Sequence, residues 1–356
     1  MSVLEQKGES MALTERNRVY RSGLRCGLFV LALAFLFLPV PGTAQLGGRP
    51  EKSDFTISYT QASGVFAPLW VAQENGLFKK YGLGTSLKLL NTQVATQALI
   101  AGEIDVIATG PNIVDVRLQG VPVKYIGASV QRYILQLWGV KGLNSLGDMK
   151  GKTIGVTTPK TVAEIATREA LKKTGVISDK DVSFIYLQTV PAILAAVMSG
   201  KTSAGTLSAP NTLKARDAGL ILLLDIGQTN VPGMHLAWGT TERVIKSYPN
   251  SLYAFLKAIA EATILSKQNP SVTKKAIGKY TDTDDVKIID ETYEQFSPYW
   301  DANLAVQIEP IQTHMMYLDE KEFPRLKDAR PTDFIDNSFA ENLKNSGFLQ
   351  TLGRAK

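Results

Sequence analysis

Residues 55–127 constrain the fold more than any other stretch of this sequence. They contain FTISYTQASGVFAPLWVAQENGLFKKYGL, then TQALIAGEIDVIATG, then GVPVKYIG. A short apolar strand runs into a small-residue loop and then a helix, and the unit repeats. Strands are expected at 55–59, 86–90, 105–108 and 123–128, with helices at 67–75, 92–101 and 111–118. Thr92 is placed to cap the second helix and Gly76 to end the first. Strands alternating with helices at this spacing imply βαβ units and a parallel sheet. In such open sheets, ligands bind at the loops leaving the carboxyl ends of the strands.

A second run of the same kind begins near residue 151. Its strands are expected at 152–156, 182–187, 202–207 and 221–224, and its helices at 162–174 and 190–199. From Asn250 onward the pattern becomes a series of amphipathic helices, beginning with SLYAFLKAIAEATILSKQNP. The chain has 356 residues, room for about two domains of roughly 150 residues. Hydrophobic residues make up 44% and charged residues 20%, a balance that supports a globular core.

The N-terminus has its own character. Arg16, Arg18, Arg21 and Arg25 precede the apolar run GLFVLALAFLFL, which Pro39 and Pro41 end before Gly42, Thr43 and Ala44. A basic stretch, a short apolar stretch and a small-residue exit make a secretory signal peptide. An uncleaved anchor is the alternative, but the run falls short of the roughly 20 residues a spanning helix needs. Residues 1–44 are therefore expected to be a signal peptide cleaved after Ala44, which places the mature protein in the periplasm. The single cysteine, Cys26, precedes the apolar run, where a lipid-attachment cysteine would follow it. The mature chain is left with no disulfide, thiolate metal site or cysteine nucleophile. The net charge is +6, and residues beyond 44 hold 34 basic and 30 acidic side chains, well interspersed. That is a solvated surface, not a nucleic-acid footprint.

Four pieces of sequence carry a resemblance. They are PLWVAQENGLFKKYGL at 68–83, ALIAGEIDVIATG at 98–110, GVPVKYIGAS at 120–129, and the pair SLGDMKGKTIGV (145–156) and AAVMSGKTSAGTL (195–207). In this order the chain resembles the periplasmic solute-binding proteins of ABC transporters, in the branch that imports nitrate, sulfonates, taurine and thiamine precursors. The resemblance implies an α/β, two-lobed periplasmic binding protein fold of type II. Two mixed, mostly parallel sheets would be joined by two hinge strands, with the ligand in the cleft between lobes. It assigns 54–138 plus 240–345 to lobe one and 142–236 to lobe two, with hinge strands at 136–140 and 235–240.

Several residues stand at strand-to-helix turns. Ser63, Gly64 and Phe66 follow the first strand, where glycine permits close backbone approach and helix N–H groups favour an anion. A plain turn is the other reading, and the resemblance favours ligand contact. Thr92 follows the second strand, and Thr109, Gly110 and Pro111 follow the third. Relatives usually carry small hydroxyl residues in that third loop, and Pro111 and Asn112 depart from this. In the second run, Thr157, Thr158 and Thr161 bracket Pro159 ahead of a helix, an arrangement that serves equally as a cap or a cradle. Ser208, Ala209, Pro210 and Asn211 form the next loop with the same ambiguity. This second wall is expected to decide much of the selectivity.

Trp138 and Trp238 fall on the expected hinge strands, and Trp238 is the stronger candidate to pack against a solute. Trp70 reads as core; Arg132 follows a strand end and could pair with an anionic head group, with a solvated surface arginine the favoured reading. His235 and His314 show neither HxH nor HExxH spacing, so packing or surface placement is expected, with no metal and no cofactor. No Ser/His/Asp or Cys/His constellation can be assembled from the sequence. The function implied by the resemblance is capture of a small solute by a monomer that delivers it to an inner-membrane ABC permease. The solute would be a sulfonate, nitrate, taurine, carboxylate or pyrimidine-like compound. Two alternatives share the fold: an enzyme of thiamine-pyrimidine or menaquinone type, and a sensory module. The expected signal peptide argues against the enzymes, and the pyrimidine-synthesising relatives rely on a cysteine-rich motif this chain lacks.

Overall fold

The computed structural model describes residues 46–176 and 178–354. The expected signal peptide and its cleavage site lie outside the described residues. Among the described residues, ten strands form two five-stranded sheets. The first sheet contains β1 (Asp54–Tyr59), β2 (Gly84–Leu89), β3 (Val106–Thr109), β4 (Val123–Arg132) and β10 (Pro232–Thr241), in the order β2-β1-β3-β10-β4. The second contains β5 (Gln136–Gly139), β6 (Lys152–Val156), β7 (Val182–Tyr186), β8 (Ala204–Leu207) and β9 (Ile221–Asp225), in the order β7-β6-β8-β5-β9. The two orders are the same design. Three parallel strands are followed by one antiparallel strand borrowed from elsewhere in the chain, and then an edge strand.

The strand residues explain their places. In β1, Phe55, Ile57 and Tyr59 are buried on alternate positions, the period a pleated strand requires. The four residues of β3 are all buried, as expected of a central strand covered on both faces. β2, at the sheet edge, is mostly exposed.

Helices α1 (Ala67–Glu74), α2 (Leu77–Lys80), α3 (Thr92–Ala101) and α4 (Asn112–Leu118) connect the first strands. Asn91, not Thr92, caps α3, its side chain accepting from the Val94 N–H at 2.9 Å. Asn and Thr both suit the position, and the extended backbone of Asn91 places it just before the helix. In the second run, α5 (Val162–Lys173), α6 (Val190–Met198) and α7 (Asn211–Asp217) play the same part.

The C-terminal helices pack back onto the first sheet. They are α8 (Glu242–Ser247), α9 (Pro249–Gln268), α10 (Pro270–Thr281), α11 (Val286–Phe296), α12 (Glu309–Met315), α13 (Ser338–Asn345) and α14 (Phe348–Arg354). α9 packs on α1 and brings Phe255 between Phe78, stacked at 5.9 Å, and Trp238, edge-on at 5.3 Å. Full burial of one such ring contributes about 1.5–3 kcal/mol.

The segments expected as hinges, 136–140 and 235–240, are regular strands of the two sheets. The chain crosses between sheets at 133–135, just before β5, and at 226–231, just before β10. Strand pairing brings these crossings side by side, with Arg132 opposite Pro232. The Ile226 N–H donates to the Leu135 carbonyl at 2.9 Å. Among the described residues no helix is long and apolar enough to cross a membrane.

Candidate functional site

The carboxyl-end loops of the two sheets meet. After β1 the chain turns at Ser63, in extended conformation, into a 3-10 turn at Gly64–Phe66 that leads directly to α1. The Ser63 hydroxyl donates to the Ala209 carbonyl at 3.4 Å, across to the loop that follows β8. After β3, Gly110 faces α5 of the second run: a Cβ at Gly110 would stand 2.6 Å from Val162 Cγ2 and 3.1 Å from the Met234 carbonyl. Loops from both sheets therefore share one junction, at the ends where a doubly wound sheet binds ligands.

The predicted residues divide sharply there. Ser63, Gly64, Thr109, Gly110, Pro111, Ser208, Ala209 and Pro210 are all buried. Ser63 and Ala209 touch, as does Gly110 with Val162. Thr92 is half-buried at the start of α3, and nothing links it to the opposite wall. The Thr109 hydroxyl bonds Asn112 Oδ1, and Asn112 Nδ2 donates to Thr96 Oγ1 at 3.0 Å, so that loop closes on itself. Phe66 lies inside the first core, 5.8 Å from Tyr59 and 6.5 Å from Trp70.

On the second wall the threonines hold one another. Thr157 Oγ1 and Thr161 Oγ1 are 3.0 Å apart, and the Thr161 hydroxyl donates to the Thr158 carbonyl at 2.7 Å. Thr161 is the N-cap residue of α5, yet its side chain does not bond the helix N–H groups. Behind this loop, Glu164 is buried and paired with Arg168 at 2.7 Å, while Tyr186 donates to it at 3.1 Å. Asn211 begins α7, and Thr212 beside it donates to Gln295 Oε1 of α11 at 3.5 Å.

The tryptophans are placed in cores. Trp238 is fully buried, and its Nε1 donates to Ser129 Oγ at 3.0 Å beneath the first sheet. Trp138 packs with Val190 and Ile193 in the second sheet's core and donates to Gln136 Oε1 at 3.0 Å. The structure does not bring either to the loop junction, because both point into the cores their strands build. Trp70 stacks on Tyr280 at 5.0 Å. Arg132 is exposed, donates to Asn230 Oδ1 at 2.7 Å and lies over the Tyr299 ring. His314 is buried with its Nε2 2.5 Å from Asp115 Oδ1. Among the described residues no group of three or more His, Cys, Asp or Glu is placed to hold a metal ion.

Sequence reasoning passed over two parts of the junction. His235 lies just after the second crossing, and its Nδ1 accepts the Ile134 N–H of the first crossing at 3.0 Å. Burial pushes its ring well down, to about 4. The other is α11. Thr292 and Phe296 cover Gly64 so closely that a Cβ there would meet Thr292 and stand 2.8 Å from Phe296 Cδ2. The His235 and Phe296 rings lie edge to face at 6.2 Å. In sequence, α11 is one amphipathic helix among several. Only the fold shows which of its faces meets Gly64.

Polar contacts rim the junction on both sides. Arg216 grips Glu291 at 2.6 and 2.9 Å. Opposite, Lys160 bonds Glu322, Tyr317 bonds Glu169, and Lys172 lies 4.5 Å over the Tyr317 ring.

A family model described as NMT1/THI5 like matches residues 63–273. No curated protein compared by sequence matches the chain. By structure, the chain is similar to a protein from Bordetella bronchiseptica, with a TM-score of 0.70 at 19% identity, covering 84% of this chain and 99% of that one. It is similar to the periplasmic nitrate-binding protein NrtA from Synechocystis, with a TM-score of 0.67 at 16% identity, covering 85% and 90%. It is also similar to the periplasmic aliphatic sulphonate binding protein SsuA from Escherichia coli, with a TM-score of 0.65 at 16% identity, covering 80% and 92%. At these identities the likeness concerns the fold, which is the two-lobed type II periplasmic binding protein fold.

Proposed function

The chain belongs to the NMT1/THI5-like family, and from that premise we propose that it is the exported solute-binding component of an ABC importer. It captures a small solute between its lobes as a monomer and delivers it to a membrane permease. The observation that carries this reading is the meeting of the two walls, Ser63 with Ala209 and Gly110 with Val162. A solute held there touches both lobes, so its binding is coupled to their closure.

The proposed motion is hinge closure about the crossings at 133–135 and 226–231. Lobe one comprises 54–138 plus 240–345, and lobe two 142–236. Ser63, Gly64, Gly110 and Pro111 form one wall; Thr157, Thr158, Thr161, Ser208, Ala209 and Pro210 form the other. The rim pairs are mostly solvent-exposed, and exposed pairs hold little free energy. The solute must therefore favour the closed form by its own differential contacts. Residues 1–44 act as the export signal, and no catalytic group is assigned.

The test is thermal denaturation of purified residues 45–356 against inorganic anions, sulfonates, aromatic acids and pyrimidines. A ligand that binds only the native state stabilises by about 2.7 kcal/mol at a hundredfold excess over Kd. A shift with one class and none with the rest supports capture. No shift across the whole panel, or turnover of a compound in it, would falsify the reading.

A further inference from the structure

Two buried polar atoms at the junction have no protein hydrogen-bond partner: His235 Nε2 and Thr292 Oγ1. His235 is 3% exposed and Thr292 0%. An unpaired donor in such a place costs about 1–3 kcal/mol, so neither is a neutral feature of packing.

Their chemistry is fixed by their neighbours. The Ile134 N–H occupies His235 Nδ1. A neutral imidazole has one acceptor and one donor nitrogen, so the proton sits on Nε2. Burial keeps the ring neutral through the physiological range. Thr292 contributes a hydroxyl that can donate or accept. Both lie beside the same ring: Thr292 is one helical turn from Phe296 on α11, and His235 meets Phe296 edge to face. The Phe296 ring adjoins Gly64 of the first loop. Gln295 of the same helix accepts from Thr212 of the second lobe, and Ser63 beside Gly64 donates to the Ala209 carbonyl. The two atoms thus stand where the walls converge.

The charge at this place is equally defined. Among the described residues no Lys or Arg is buried. Lys160 and Arg216 sit on the rim and are already paired with Glu322 and Glu291, and Arg132, at the start of the first crossing, is exposed and held by Asn230. A strong anion is held by several converging donors or a buried cation. Around Phe296 the unpaired polar groups are one fixed N–H and one rotatable hydroxyl, the Ser63 hydroxyl being already given to the Ala209 carbonyl.

Resting on the capture reading above, we propose that His235 and Thr292 select the solute, and that the solute presents an uncharged acceptor, a ring carbonyl or ring nitrogen, to His235 Nε2–H. Thr292 Oγ1 takes a second polar atom of the same molecule, and Phe296 packs against its apolar part. Sulfonates and nitrate are then excluded as the preferred solutes.

The experiment measures affinities of residues 45–356 for uracil, thymine and nicotinamide as uncharged probes, and for methanesulfonate and nitrate as anions. At least one uncharged probe should bind and the anions should not. Thr292→Val keeps the side-chain shape and removes the hydroxyl. His235→Asn keeps an acceptor for the Ile134 N–H and removes the Nε2 donor. Each should weaken the bound probe about tenfold, the effect of one lost hydrogen bond, while circular dichroism and melting show a folded protein. Preferred binding of methanesulfonate or nitrate overturns the proposal and leaves capture standing. Uncharged-probe affinity unchanged within about twofold in both variants, each removing one such bond, overturns it as well. If none of the three uncharged probes binds, the selection proposal fails. Capture itself fails if the wider panel also gives no shift, or if a compound in it is turned over.

Discussion

The two walls of the cleft are built from the same supersecondary unit, yet they spend their polar groups differently. On the second wall, Thr157, Thr158 and Thr161 are half-buried and bond one another. On the first, Ser63 and Gly64 are fully enclosed, backed by Phe296 and α11, with His235 Nε2 and Thr292 Oγ1 left unpaired. The difference arises from the C-terminal helices, which add a layer behind the first sheet and, among the described residues, have no counterpart behind the second. A wall supported in this way can hold polar atoms at fixed positions without protein partners. A wall of mutually satisfied threonines acts as a cover. Much of the selectivity was expected from the second wall, and the proposed role of His235 and Thr292 assigns it to the first.

The largest effect should come from removing the support. Phe296 is fully buried and fills the space between Gly64 and His235. Phe296→Ala should cost about 3–5 kcal/mol by lost burial and cavity formation, measured by urea denaturation. A cost below about 1 kcal/mol, far under that range, would mean that α11 is not the backing of the first wall.

The next effect is a pH dependence with a defined sign. Burial lowers the folded-state value of His235 from 6.5 to about 4. The unfolded chain binds the proton first as pH falls, so this residue's contribution is intact above pH 6.5 and is lost progressively towards pH 4. The total is about 3 kcal/mol. In His235→Asn that part of the slope should vanish from denaturation curves recorded at stepped pH. Protonation also places an N–H at Nδ1 against the Ile134 N–H, so acid loosens the bond between the two crossings. No such term is expected from the second wall, whose threonines do not titrate.

How much of this was legible in the sequence depended on whether the signal was local. The βαβ rhythm placed both sheets, because buried strand residues recur with period two and helix faces with 3.6. Strand-to-helix turns likewise pointed to Ser63, Gly64 and Gly110. What failed to appear was anything set by packing over long separations. Trp238 sits on the strand that carries His235, and strand alternation alone cannot tell which of the two faces a core and which a crossing. The pairing of His235 with Ile134 spans about a hundred residues, and that of Gly64 with Thr292 spans more than two hundred. The crossings between the sheets were hidden for the same reason. Residues 136–140 and 235–240 look like isolated strands in sequence, and only strand exchange between sheets shows that the crossings precede them.

A smaller test acts on the backbone of the first wall. Gly64→Ala keeps every partner but drives a Cβ against Thr292 and Phe296. Overpacking of this kind costs about 1–3 kcal/mol. If α11 yields instead, stability will be nearly unchanged, while the affinity for any uncharged probe falls because the Thr292 hydroxyl has moved. Either outcome keeps the first wall as the reading surface. Loss of neither stability nor affinity would show that the close approach at Gly64 has no role.

The smallest expected effect is also the sharpest for the comparison. Thr157→Val removes one hydroxyl from the mutually bonded set on the second wall. The lost hydrogen bond to Thr161 is partly solvated, so the cost should be near the low end of about 0.5–1.5 kcal/mol. Because that hydroxyl already has a protein partner, a solute gains little from it, and probe affinity should stay within about twofold of the parent, well under the tenfold expected for one lost hydrogen bond. A larger loss than that of His235→Asn would invert the assignment. The threonines would then exchange their mutual bonds for bonds to the solute on closure, and the second wall would be the one that reads it.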